Sequence, residues 1–255
     1  MILAWIGAIL IGVTLGILGS GGSILTVPVL TYLVGQETKL AIASSLIIVS
    51  IISLFSAISY AYHKQVKWRT VLLFGFPGMI GAVTGAWSAH FVSDAIQMLI
   101  FSVLLLVAGY FMFSPIILKE EDHEHSERAM HQIIIDGFLV GIITGIVGVG
   151  GGFLIIPALI LLGGLSMRLA IGTSLVIVTI QSLAGFIGYI PVLNALNLTI
   201  DWSTITLFAL LGILGSWFGY RLGKKINQQH LKKGFSILLV FMGLIMLYKY
   251  ISSLI

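Results

Sequence analysis

The 255 residues are 9% charged and 58% hydrophobic, with a mean hydropathy of +1.13 and no cysteine. Soluble domains carry roughly a quarter charged residues, so this composition excludes a water-soluble globular protein, and the missing cysteines exclude disulfides, thiolate metal sites and cysteine nucleophiles. The formal net charge of +4 falls in loops beside apolar runs, where it reads as membrane topology and not as a nucleic-acid surface.

The chain opens with MILAWIGAILIG, which lacks the basic start and small-residue cleavage site of a secretory signal and is read as structure. The apolar stretch continues through GSGG at 19–22 to Val34, and a helix does not run smoothly through such glycines. Three apolar runs follow, at 40–60, 71–91 and 96–118, each near the length of helix that crosses a bilayer. The segment KEEDHEHSER at 119–128 then holds five of the nine acidic residues. Beyond it a second glycine-broken stretch, GVGGG at 148–152, precedes further runs at 169–190, 205–220 and 235–251. The runs are apolar all round and do not alternate, so helices, not barrel strands, must satisfy their backbone in lipid.

The two series match. GVTLGILGSGGSILTVPVL from Gly12 aligns with GIITGIVGVGGGFLIIPAL from Gly141 at an offset of 129, placing Gly16, Gly19, Gly21, Gly22 and Pro28 on Gly145, Gly148, Gly150, Gly151 and Pro157. LAIASSL from Leu40 falls on LAIGTSL from Leu169, and after a five-residue insertion Trp68 falls on Trp202 at an offset of 134, with Gly81, Gly85 and Gly109 on Gly215, Gly219 and Gly243. The expected organisation is a first transmembrane repeat over 1–118, a charged cytoplasmic linker over 119–130 and a second repeat over 131–255.

Each glycine-broken stretch is either one long broken span or a hairpin whose arms meet inside the membrane. If each crosses once, the 13 Lys and Arg divide seven to six; if each returns, one side collects Lys64, Lys67, Arg69, Lys119, Arg128, Arg168, Arg221, Lys224, Lys225, Lys232 and Lys233, leaving only Lys39 and Lys249 opposite. The positive-inside rule selects the hairpin. Three crossings after each hairpin then invert the second half relative to the first, and both termini lie outside. The expected fold is an all-α polytopic membrane protein of two inverted repeats, each a re-entrant hairpin followed by three transmembrane helices.

Returning arms that start near Ser23 and Gly152 direct backbone N–H groups at the breaks, and helix N-termini favour anions. The candidate anion-binding residues are therefore Gly19, Ser20, Gly21, Gly22, Ser23, Gly148, Gly150, Gly151 and Gly152, together with the hydroxyls of Ser44, Ser45, Thr173 and Ser174. Gly21 and Gly150 are the positions expected to need a positive φ. Ser45 and Ser174 lie about 9 Å inside their helices at 1.5 Å per residue. A deeper tier comprises Ser50, Ser53, Thr179, Ser182 and Gln181, the last without a polar counterpart because Ile52 occupies its place. The competing reading is packing: Gly12/Gly16, Gly141/Gly145, Gly81/Gly85 and Gly215/Gly219 are GxxxG pairs that let helices approach closely. Asp136 is read as an interfacial acid, and Tyr60, Tyr62, Tyr189, Trp68 and Trp202 as interfacial belt residues. In the linker, Asp122, His123, Glu124 and His125 are either metal-capable or a solvated charged loop. No cofactor, metal centre or catalytic constellation is expected.

GxxGxGGGxxxxPxL from Gly145 to Leu159, its looser copy from Gly16 to Leu30 and the A-I-x-[ST]-S-L strings resemble the sulfite exporter TauE/SafE family over nearly the whole chain. The first half departs at Ser20 and Ser23, where the second has Val149 and Gly152. The resemblance implies an inner-membrane permease exporting sulfite, an organosulfonate or another small anion by alternating access. A passive anion channel or a carrier of another small ion is the alternative. The expected partners are the small anionic substrate and the lipid bilayer, no nucleic acid is expected, and a homo-oligomer is left open.

Overall fold

The computed structural model describes residues 2–113, 130–147 and 152–252. The linker residues 119–129 and the glycines Gly148, Gly150 and Gly151 lie outside the described residues. In the first half the elements are α1 (Ile2–Leu18), α2 (Gly21–Val29), α3 (Thr38–Tyr62), α4 (Trp68–Thr70), α5 (Phe76–Ser88) and α6 (Asp94–Phe113). The second half has α7 (Met130–Val147), α8 (Gly152–Pro157), α9 (Met167–Ala195), α10 (Trp202–Gly223) and α11 (Gln228–Ser252). Among the described residues all regular structure is helical, and seven helices are long and apolar enough to cross a membrane. The protein is thus an all-α polytopic membrane protein.

Pro28 and Pro157 lie at corresponding places in the returning arms, and wider π-type turns follow at Leu30–Val34 and Ala158–Leu162. A proline lacks the N–H that would bond the preceding turn, so a local change of helix type is expected there. The arms end at Gly35 (φ 81°) and near Gly164 (φ 62°), also repeat counterparts. α10 starts with a cap: Asp201 accepts from the backbone N–H groups of Ser203 and Thr204.

α2 packs back along α1. A Cβ on Gly22 would lie 2.2 Å from the Ile11 carbonyl oxygen, whereas one on Gly7 would lie 2.9 Å from Val29 Cγ1 and 3.7 Å from Leu33 Cδ1. Contacts move towards the start of α1 as the chain moves along α2, so the first glycine-broken stretch is an antiparallel hairpin and not one long interrupted helix.

The most buried of the helices long enough to cross a membrane are α3 and α9. They cross antiparallel: Gly172 lies against Tyr60, Gly185 against Leu46, and between these the Ser50 hydroxyl donates to the Thr179 carbonyl at 3.1 Å. Ser50 and Thr179 are themselves counterparts at offset 129. α6 and α11 also run antiparallel, with Gly109 against Val240, Gly243 against Leu106, and the Ser236 hydroxyl donating to the Gly109 carbonyl at 2.7 Å.

Each opening helix packs on the other half. A Cβ on Gly12 would sit 2.0 Å from the Gly212 oxygen and one on Gly16 2.2 Å from the Ser216 oxygen, joining α1 to α10. The counterpart contacts join α7 to α5: Gly141 to the Gly78 oxygen at 2.2 Å and Gly145 to the Ala82 oxygen at 2.3 Å. The GxxxG glycines are therefore packing positions, where small residues allow backbone contact between helices. On the outer faces Leu54, Phe55, Ile58, Leu210, Leu214, Trp217 and Phe218 are at least half exposed. Side chains of this kind belong in lipid. Trp87 is exposed too, edge-on to Phe91.

Candidate functional site

The first break turns at Gly19, whose φ is 73° and where a Cβ would lie 2.8 Å from Ile171 Cγ2 and 3.0 Å from the Ile171 carbonyl oxygen. Only a residue without a side chain suits both constraints. Positive φ had been expected at Gly21, but Gly21 is the first residue of α2 and has helical geometry, so the chain reverses two residues earlier. The corresponding expectation for Gly150 falls outside the described residues.

Ser20 is the N-cap of α2, yet its side chain makes no cap bond. The Ser20 Oγ is wholly buried and has no hydrogen-bond partner. A buried hydroxyl without a partner loses its hydration and gains nothing in return, unless something else binds there. Beside it, Ser23 donates to the Ser20 carbonyl at 2.7 Å and Thr26 to the Gly22 carbonyl at 2.8 Å, so these two hydroxyls are engaged. The N–H groups of Gly21 and Gly22 open the helix and have no acceptor in its own ladder.

The start of α8 meets this turn. A Cβ on Gly152 would lie 2.5 Å from Ser20 Cβ and 3.0 Å from Val178 Cγ2, so the start of α8, the N-cap of α2 and the middle of α9 converge. Gly152 and Ser20 were named from separate halves of the sequence; the fold brings them together.

The remaining candidates divide into three groups. Ser44 and Ser53 are fully buried with unpartnered hydroxyls. Ser45 and Ser174 donate to the Ile42 and Ile171 carbonyls at 2.7 and 2.9 Å, so their protons are engaged by their own helices. Thr173 accepts the Lys67 N–H at 3.0 Å and anchors the turn between α3 and α4. Gln181 is 1% exposed with both amide atoms unpartnered, and a Cβ on Gly78 would overlap its Nε2. Ile52 fills the counterpart slot against Gly212, so one helix contact carries a carboxamide and its counterpart a hydrocarbon.

Several polar residues escaped the sequence reading. Tyr60 and Tyr189 are not belt residues: they are buried at 5% and 0% exposure, and Tyr60 donates to the Gly16 carbonyl at 2.9 Å. Lys39, 8% exposed, donates to Ala89, Val92 and the Gln97 Oε1 at 3.0, 3.0 and 2.7 Å. Its counterpart Arg168 reaches the Lys224 and Ile226 carbonyls. Both cations thus cap the far end of a neighbouring segment, where basic groups complement helix C-termini. The signal available in sequence was the offset of 129, which pairs Tyr60 with Tyr189 and Lys39 with Arg168. Among the described residues no three His, Asp or Glu side chains form a metal-capable group.

Apolar spans, duplicated packing and a polar convergence of the first hairpin with the start of α8 define a polytopic membrane protein with an internal polar site. The sequence model of the sulfite exporter TauE/SafE family matches residues 4–246, and the chain belongs to that family. A "Probable membrane transporter protein" of Xylella fastidiosa is 31% identical over 255 residues, covering 96% of this chain and 94% of the relative. Similar proteins named as probable membrane transporters occur in Methanocaldococcus jannaschii (28% identity, 94% of each chain) and, as YunE, in Bacillus subtilis (29% identity, 96% of each chain). No solved structure gives a significant match. The protein is a membrane transporter.

Proposed function

We propose that this transporter is a secondary permease that exports a small sulfur-containing oxyanion or organosulfonate by alternating access. The observation that carries this reading is the meeting of Ser20 with Gly152, with the unpartnered Ser20 hydroxyl at the junction. The donors there are backbone N–H groups and hydroxyls, suited to an anion held weakly enough to be released. Export of a sulfur oxyanion follows the name of the family. The full burial of Ser20, Ser44 and Ser53 favours a gated carrier over an open channel. A screen of the purified protein against sulfite, sulfate, taurine, sulfoacetate and thiosulfate tests the substrate class. Binding of none of these would refute the anion reading.

The hydroxyls give a graded expectation. Ser20→Ala and Ser44→Ala should each weaken anion binding by about 0.5–3 kcal/mol, the range for neutral to charge-assisted hydrogen bonds, with stability unchanged or slightly raised. Ser45→Ala and Ser174→Ala should do less, because their protons are already engaged. Isothermal titration of the four variants checks the order. Unchanged affinity in Ser20→Ala and Ser44→Ala would move the site to the tier of Ser53 and Gln181.

The same proposal includes inverted halves in an inner membrane, with both termini and the 197–201 turn outside. The antiparallel crossing of counterpart helices α3 and α9 supports it, as does the excess of basic residues on one side. Single cysteines report it: an impermeant thiol reagent applied to intact cells should label Thr199→Cys and spare Gln65→Cys. The reverse pattern would overturn the orientation.

A further inference from the structure

The turn joining α5 to α6 and the turn joining α10 to α11 are repeat counterparts at offset 134, and each is held from within by a cation. Lys39 donates to the Ala89 and Val92 carbonyls of the first, and Arg168 to the Lys224 and Ile226 carbonyls of the second. What they turn outward differs. The first exposes Trp87 and Phe91, packed edge-on, whereas the second has Arg221 and Lys225 at those places, both exposed. The fold of the turn therefore does not require these cations.

More basic residues gather at the second turn. Arg221, Lys224, Lys225, His230, Lys232 and Lys233 follow one another closely, and no residue from 202 to 255 is acidic. Like charges so near repel one another, and the positive end of α11 adds to the repulsion. Lys224 turns inward, its ammonium 2.8 Å from His63 Nε2 and over the Tyr220 ring. Arg221, Lys225 and Lys233 are exposed and have no hydrogen bond or ion pair among the described residues.

Lipid-facing surface adjoins these three cations. Leu210, Leu214 and Trp217 form an exposed stripe on α10 that Arg221 continues, and Ile237, Phe241 and Leu244 form one on α11 that Lys233 begins. The Arg221 guanidinium lies over the Trp217 ring, 3.6 Å from its centroid. Stacking uses the face of the guanidinium and leaves the N–H groups at its edge, whose fork matches a phosphate. A soluble anion would use the cations alone. A phospholipid, with a phosphate above two acyl chains, uses the stripes as well.

We propose that the α10–α11 turn is a docking surface for an anionic phospholipid, whose phosphate lies against Arg221, Lys225 and Lys233 and whose acyl chains follow the stripes of α10 and α11. A zwitterionic lipid carries the same phosphate but brings its own ammonium, which the cluster repels. The surface shares no residue with the anion site proposed at Ser20 and does not rest on it.

The test titrates phosphatidylglycerol and phosphatidylcholine of identical chains into the detergent-solubilised, purified protein and counts bound lipid by native mass spectrometry. Wild-type protein should prefer phosphatidylglycerol. Arg221→Gln and Lys225→Gln should each weaken its binding about fivefold, as expected for one cation at an anionic surface, and leave phosphatidylcholine unchanged. Trp217→Leu alters no charge and should still cost about threefold, because the stack that orients the guanidinium is lost. Inorganic phosphate at the lipid's concentration should displace nothing. Equal affinity of wild-type protein for the two lipids overturns the proposal, as does a full preference in Arg221→Gln combined with Lys225→Gln. An unchanged preference in Trp217→Leu reduces the cluster to diffuse charge that only orients the chain in the membrane, and displacement by phosphate makes it a site for a soluble anion; either result overturns the lipid site. Should the Arg221 variant not purify, Lys225→Gln and Lys233→Gln carry the test, since neither side chain bonds the rest of the protein.

Discussion

Gly19→Val is expected to abolish anion binding by the purified protein. The backbone at this position has φ 73°, and a Cβ would press on Ile171 at 2.8–3.0 Å. A β-branched residue in the left-handed region costs roughly 1–3 kcal/mol, so the turn would relax to another conformation and carry Ser20 and the first N–H groups of α2 away from Gly152. Gly35→Ala provides the comparison, since Gly35 has φ 81° with nothing within 4 Å of its would-be Cβ. It should lose a similar order of stability, about 1 kcal/mol, and keep its affinity. Thermal unfolding and anion affinity measured on the same samples decide between a site and mere packing. Full affinity in a destabilised Gly19→Val protein would remove the backbone anion site.

Gly12→Val should have the opposite signature. Its Cβ would lie 2.0 Å from the Gly212 carbonyl oxygen, a backbone atom that cannot step aside without displacing α10 from α1. Overpacking against side chains costs roughly 1–3 kcal/mol, and against backbone about 3 kcal/mol or more is expected. Gly141→Val meets the Gly78 oxygen at 2.2 Å and should be destabilised to a similar extent. Protein that survives purification should bind anion normally, because the atoms these side chains would meet are the backbones of α10 and α5 and not Ser20. Wild-type unfolding temperatures in both variants would contradict the packing of α1 on α10 and α7 on α5. A matched fall in affinity and stability would mean that the helix contacts and the site are coupled.

These two outcomes separate glycines that look alike in sequence. Both motifs are short, apolar and glycine-rich, and both recur at offset 129. What distinguishes them is what faces the missing side chain. At Gly12 it is the backbone of a helix about 200 residues away in the chain, and at Gly19 it is a left-handed turn beside Ile171. Spacing alone does not carry that information. The same holds for the hydroxyls: SSL and TSL look equivalent, yet Ser44 has no partner, while Ser45 and Ser174 bond their own helices and Thr173 holds a loop.

By itself the sequence determined the solvent, the helices and the duplication. Those follow from quantities that are local or periodic: apolar length sets a span, and a fixed offset exposes a repeat. It also marked the two breaks, because glycine clusters and prolines interrupt a helix wherever they occur. Only the tertiary structure decided that α2 folds back along α1, that each opening helix packs on the other half, and that Ser20 meets Gly152. Only it moved Tyr60 and Tyr189 from the interface to the interior, and made Lys39, counted in the sequence for its charge alone, a buried donor. The physical reason is that a buried polar group is defined by its partner, and here the partners are backbone carbonyls far away in the chain, which every sequence possesses equally and none displays.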